Sequence, residues 1–159
     1  MTPEIRTKVL RRIVHGVYVI GVRDGDRSNA FTATWLTQVS FEPLLLAAAI
    51  RKDSVSFSMI ERSGIFAVSF LASGQKELAQ HFLKPAHLGG DKLAGIAHRP
   101  GMTGAPILEE AAAYVECRVR EIHPAGDHSI VVGEVVEARL ARAEAEPLTL
   151  KETGWHYGG

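Results

Sequence analysis

Residues 113–140, AYVECRVREIHPAGDHSIVVGEVVEARL, decide the fold class. Val115, Cys117 and Val119 alternate with Glu116, Arg118 and Arg120, the two-residue period of a strand with one face in a core and the other in water. Pro124-Ala125-Gly126-Asp127 is a turn-forming cluster, and HSIVVGEVVEARL after it is again β-rich, with charges at Glu134, Glu137 and Arg139. The pattern predicts a long antiparallel hairpin.

Upstream of this hairpin the same grammar repeats. GVYVIGV (16–22), the turn cluster Asp24-Gly25-Asp26-Arg27 and SNAFTATWLTQVS (28–40) read as a first hairpin, with 28–40 as one strand. Glu42-Pro43 punctuates, LLLAAAI (44–50) is a fully buried strand, and IFAVSFL (65–71) is another. Between them, residues 53–64 predict a short helix with Asp53 as N-cap, Val55 and Met59 on one face and Gly64 at the C-terminal end. Ser73 is expected to cap a second helix over GQKELAQHFL. At the N-terminus, Thr2-Pro3 starts an amphipathic helix with Ile5, Val9 and Ile13 on one face and Gly16 ending it. Residues 84–105, with five glycines and two prolines, form a long surface excursion, and KETGWHYGG reads as a tail. Many strands with few helices imply a mainly β, closed or nearly closed antiparallel barrel.

The chain has 159 residues, which suits one domain with a sizeable core. Lys and Arg number 18 and Asp and Glu 18, so no basic field exists to gather nucleic acid or anionic lipid. The longest apolar run, Leu44 to Ile50, is far short of the roughly 18–20 residues that span a bilayer. The charged N-terminus lacks a signal peptide's apolar stretch, and one cysteine, Cys117, permits neither an internal disulfide nor a cysteine-based zinc site, so the expected compartment is the cytoplasm.

Familiar catalytic patterns are missing: there is no nucleophile elbow, phosphate-binding Walker loop, H-E-x-x-H or dinucleotide fingerprint, and the seven histidines show no metal-ligand spacing. Two segments carry binding chemistry instead. Arg51-Lys52-Asp53-Ser54-Val55-Ser56 lies where a buried strand ends and a helix begins, so free N–H groups, two hydroxyls and two cations can converge on a phosphate, or merely cap the helix and face water. The 28–40 strand holds the only asparagine, Asn29, and hydroxyls at 32, 34, 37 and 40 among apolar residues; these groups face either solvent or a bound ring rich in donors and acceptors.

SNAFTATWLTQVSFEPLLLAAAI, then RKDSVSFSMIERSGIFAVSFL, then the Gly126-Asp127-His128 turn resemble, in order and spacing, the flavin reductase-like family of FMN-binding split β-barrel proteins. The resemblance implies a homodimeric Greek-key split barrel formed by one domain over 1–159, binding FMN, or FAD in its place, with NAD(P)H delivering hydride. It implies that Asn29 and Trp35 lie beside the flavin ring, and that backbone groups of Phe31, Thr32, Ala33 and Thr34 and of Gln38, Val39 and Ser40 bond its polar edge. Arg51, Ser54 and Ser56 match the phosphate and ribityl contacts, Lys92 a lysine that reaches the cofactor, and His81 a residue near the ring. His128 matches the position facing nicotinamide, where a neutral imidazole donates a hydrogen bond; Tyr157 would cover the flavin, although the chain stops short of the tail many members carry. The family's Pro-Pro is here Pro43-Leu44, and its frequent Thr is here Ser56.

Catalysis of this kind requires no general acid or base, only stacking of the two rings at about 3–3.5 Å and tuning of the flavin by hydrogen bonds. Electrons would pass to free flavin, a ferric chelate, a redox partner protein or a monooxygenase. The alternatives are a flavoredoxin-type carrier whose FMN is reduced by another protein, a flavin-binding module without turnover, or a split barrel holding haem or pyridoxal phosphate.

Overall fold

Strands dominate the computed structural model, which describes residues 1–85 and 91–159. In chain order the elements are α1 (Pro3–Leu10), β1 (Tyr18–Asp24), β2 (Arg27–Ala33), β3 (Leu36–Ser40), β4 (Leu45–Arg51), α2 (Val55–Ser63), β5 (Ile65–Phe70), α3 (Lys76–His81), β6 (His98–Pro100), β7 (Pro106–Leu108), β8 (Ala113–Pro124), β9 (His128–Leu140) and α4 (Leu150–Thr153). Seven strands form one antiparallel sheet in the order β2-β1-β5-β8-β9-β4-β3.

The expected single strand over 28–40 is two strands, because the chain leaves the sheet at Thr34-Trp35. Those two residues join the opposite edges of a seven-stranded sheet. Three Cα steps span at most about 11 Å, so the sheet must roll until its edges nearly meet at that point. Trp35 O accepts from Ala49 N at 3.0 Å, which seats the crossover on β4.

Inside the rolled sheet lies a core of Ile20, Val22, Ile50, Phe57, Met59, Ile60, Phe66, Val68, Cys117 and Val131. A second apolar layer, including Val17, Val19, Leu71, Phe82, Leu93 and Leu148, covers the other face of β1. Strand β1 is therefore buried on both faces, which is why its sequence runs apolar without alternation. Gly133 on β9 permits close packing: a Cβ there would sit 2.6 Å from the Phe66 ring.

Several local expectations change. The N-cap of α2 is Ser54, whose hydroxyl accepts from Phe57 N at 3.1 Å; Asp53 instead pairs with Arg51. Gly64 closes this helix with φ 69°, as its sequence position suggests. Helix α3 begins after Gln75, and Ser73 donates instead to Glu152 at 2.5 Å. Helix α1 ends at Leu10 rather than near Gly16 and buries no side chain, so Ile5 and Val9 remain exposed. The 84–105 excursion contains β6, paired with β7, and residues 86–90 of it lie outside the described residues. Glu116 accepts from Met102 N, Thr103 N and Thr103 Oγ1 and so ties this small hairpin to β8. Among the described residues no helix is long and apolar enough to cross a membrane.

Candidate functional site

A cavity of about 800 Å³ opens beside the β2–β3 crossover, within the size range of small-molecule and cofactor sites. Its walls come from β2, the end of β4, the start of α2, the segment after α3, Lys92 and the residues following α4. Eleven of the residues singled out above line it: Asn29, Phe31, Thr32, Ala33, Thr34, Trp35, Arg51, Ser54, Ser56, Lys92 and Tyr157.

One end of the cavity is built where β4 runs into α2. The first N–H groups of α2, those of Val55 and Ser56, have no intrahelical partner, and the helix dipole adds a partial positive charge. Ser56 is buried, and its Oγ accepts from Asn29 Nδ2 at 2.8 Å, so its own O–H is free to donate into the cavity. Ser54 differs: its hydroxyl caps Phe57 N and donates to Arg51 O at 2.9 Å, and is thereby committed to the fold. Arg51 forms a two-pronged pair with Asp53 at 2.9 and 2.7 Å. This pair raises the guanidinium pKa and lowers that of the Asp53 carboxyl.

On the β2 wall, Thr32 N donates to Phe82 O at 3.3 Å, and Thr32 Oγ1 to Ala79 O at 2.6 Å. The alternation of an antiparallel ladder then turns the backbone groups of Thr32 and Thr34 outward and those of Phe31 and Ala33 toward β1. Thr34 Oγ1 is the one buried side-chain oxygen without a hydrogen-bond partner among the described residues. An orphaned buried hydroxyl costs about 1–3 kcal/mol, and a ligand with ring nitrogens or carbonyls would satisfy it. The donor set fits a flavin phosphate at the α2 end and a polar heteroaromatic ring along β2.

Lys92 is 5% exposed, and its Nζ donates to the carbonyls of Lys84 at 2.8 Å and Phe82 at 3.4 Å. It has no carboxylate partner among the described residues, and burial pushes its pKa down to about 8. His81 does not line the cavity; its Nε2 donates to Lys92 O at 2.7 Å and so holds that segment in place. Gln38, Val39 and Ser40 also stand outside the cavity, because the crossover carries β3 to the far edge of the sheet, where Gln38 and Val39 are exposed. His128 is buried just behind the wall: its ring lies 4.8 Å from that of Trp35, and its Nε2 lies 2.8 Å from Tyr157 Oη.

Three further lining residues carry no signal of it in the sequence: Leu150 at the start of α4, and Trp155 and His156, which the segment after α4 folds back over the cavity. The Thr149 cap, whose hydroxyl accepts from Glu152 N, was the available sign that the supposed tail is anchored. Gly158 lies close against Trp35, where an added Cβ would sit 3.0 Å from the indole ring.

Comparison with known proteins gives a consistent picture. The family model described as "Flavin reductase like domain" matches residues 10–159. Diflavin flavoprotein A 1 of Synechocystis sp. is 36% identical over 138 residues, covering 86% of this chain and 24% of that protein. The chain spans about a quarter of the length of the curated relatives it matches. Among solved structures, the NADH:FAD oxidoreductase SgcE6 of Streptomyces globisporus C-1027 superposes with a TM-score of 0.85 at 30% identity, over 100% of this chain and 96% of that one. It has also been solved in complex with NAD and FAD fragments. An FMN-binding protein from Thermus thermophilus aligns with a TM-score of 0.75 at 31% identity, over 81% and 72% of the two chains.

Proposed function

Since the chain belongs to the flavin reductase-like family, we propose that it binds FMN in the cavity beside the β2–β3 crossover and works as an NAD(P)H-dependent flavin reductase. The observation that carries this reading is the pairing of an anion-binding helix start, with Ser56 and Arg51, and an orphaned hydroxyl, Thr34 Oγ1, on the wall of one cavity. The flavin, when bound, would supply the redox chemistry by accepting hydride from the nicotinamide.

The residues of the chain bind and orient. Arg51, the Ser56 hydroxyl and the free N–H groups of α2 would hold the phosphate. Thr34 and the outward backbone of β2 would bond the ring, and Trp35 and Tyr157 would exclude water from it. Lys92 would place a positive charge against an electron-rich edge of the ligand. FAD would occupy the same phosphate end with its adenosine extending outward. Electrons would then pass to free flavin, a ferric chelate, a monooxygenase or another redox protein.

We read the rolled sheet as a Greek-key split barrel that forms a homodimer. Support for the dimer comes from apolar side chains that no described residue covers: Ile5 and Val9 on α1, and Phe41 at 89% exposure. The length of the diflavin relatives favours one second reading, an electron-transfer module whose flavin exchanges electrons with another protein module.

The test is anaerobic addition of NADH or NADPH to the FMN-loaded protein. Rapid bleaching of the visible flavin band is expected with at least one nucleotide. A spectrum that stays oxidised with both would overturn the nucleotide-driven reading in favour of the carrier, and failure to bind any flavin would overturn both.

A further inference from the structure

His128 opens β9 opposite Arg51 on β4 and is 9% exposed. Both of its ring nitrogens are engaged. Nδ1 lies 2.6 Å from Asp127 Oδ1, and Nε2 lies 2.8 Å from the Tyr157 hydroxyl. Trp35 packs against both partners, with ring centroids 4.8 Å from His128 and 5.0 Å from Tyr157. The three aromatic groups therefore form one cluster, in which the imidazole cannot turn without breaking two hydrogen bonds.

The direction of each bond follows from chemistry. An ionised carboxylate only accepts, and the bond to His128 holds the Asp127 carboxyl below its usual range, so Nδ1 must carry the hydrogen. In a neutral imidazole the other nitrogen is then an acceptor. Burial raises the Tyr157 pKa, so the phenol keeps its proton and donates it to Nε2.

We propose that Asp127 is a positioning residue that fixes His128 as the Nδ1–H tautomer, so that Nε2 accepts, and that the Tyr157 hydroxyl holds this acceptor in the place of an N–H donor on the incoming ligand. The donor that fits is a primary amide, such as the carboxamide of a nicotinamide; this last identification rests on the proposed function, whereas the tautomer does not. It also reverses the polarity expected above for His128, which accepts from the ligand rather than donating to it. A ligand that loses the amide N–H but keeps its carbonyl leaves Nε2 unpaired, and sites built around such a bond discriminate strongly. Tyr157, and with it the segment from Trp155 onward, must yield the position when the ligand arrives.

The experiment is nitrogen NMR on the FMN-loaded full chain with labelled histidine, which separates Nδ1–H, Nε2–H and doubly protonated rings by their shifts. The expected result is Nδ1–H for His128 at neutral pH. Asp127→Ala should move it toward the Nε2–H form, and Asp127→Asn, which keeps an oxygen acceptor, should restore the original signature. Tyr157→Phe should leave the tautomer unchanged and shift Nε2 toward the value of an unbonded nitrogen. An Nε2–H or doubly protonated ring in the wild type, or an Asp127→Ala spectrum identical to it, would overturn the proposal. In a second arm, NAD+ should compete with NADH roughly tenfold better than its acetylpyridine analogue, a difference of about 1.4 kcal/mol. Equal competition would overturn the amide assignment. If no nucleotide reduces the flavin while the tautomer stands, the proposed function fails and the role of Asp127 does not.

Discussion

Asn29 Nδ2 donates to Ser56 Oγ at 2.8 Å, a buried bond that joins the edge strand β2 to the first turn of α2. It connects the β2 wall of the cavity to its α2 end. Asn29→Ala should cost about 1 kcal/mol of stability, and the Asn29→Ala/Ser56→Ala cycle should show a coupling of similar size. Urea unfolding of the four proteins reads this directly, and additive effects would show that the bond contributes nothing.

Both hairpins and the Gly64 end of α2 were legible because each follows from residue chemistry within a few positions: alternation in 113–122, the turn at 124–127, and Gly64 at positive φ; the N-cap, expected at Asp53, is Ser54 because Asp53 is taken by Arg51. The crossover at Thr34-Trp35 was not, because the strand-like composition of 28–40 continues through it and only the rolled sheet forces the break. Three-residue β6 and β7 are too short to register a period among glycines and prolines. That Arg51, Ser54 and Ser56 share one wall of the cavity follows from their place at the β4–α2 junction, which 51–56 displays, whereas the return of Trp155 and Tyr157 over the cavity is a tertiary event with only the Thr149 cap to announce it.

Arg51 is exposed and, among the described residues, its side chain pairs only with Asp53, so its removal should leave the fold intact. Arg51→Ala should weaken FMN binding roughly 10- to 100-fold, the scale of a lost charge-assisted hydrogen bond. Riboflavin, which has no phosphate, should bind the variant and the wild type equally. A parallel loss for both ligands would remove Arg51 from the phosphate site.

Burial lowers the Lys92 pKa from 10.5 to about 8, so between those values the unfolded chain binds more protons than the folded one. The contribution of this residue to stability is complete above 10.5 and is lost as the pH falls through about 8. The apoprotein should therefore gain stability between pH 8 and 10.5 relative to Lys92→Met, in which this dependence is absent. Denaturation midpoints across that window that run parallel in the two proteins would contradict the burial of an ammonium here.

Gly133 faces the Phe66 ring at a distance no Cβ tolerates. Gly133→Ala should destabilise the protein by about 1–3 kcal/mol through overpacking and lower its thermal midpoint. An unchanged midpoint would mean that β9 and Phe66 move apart freely.

Both tryptophans of the chain, Trp35 and Trp155, line the cavity. Titration of the apoprotein with FMN, followed by tryptophan emission, therefore tests the central claim most directly. The expected result is strong, saturable quenching at one FMN per chain. Emission that remains at its starting level through an excess of FMN would contradict a flavin site in this cavity.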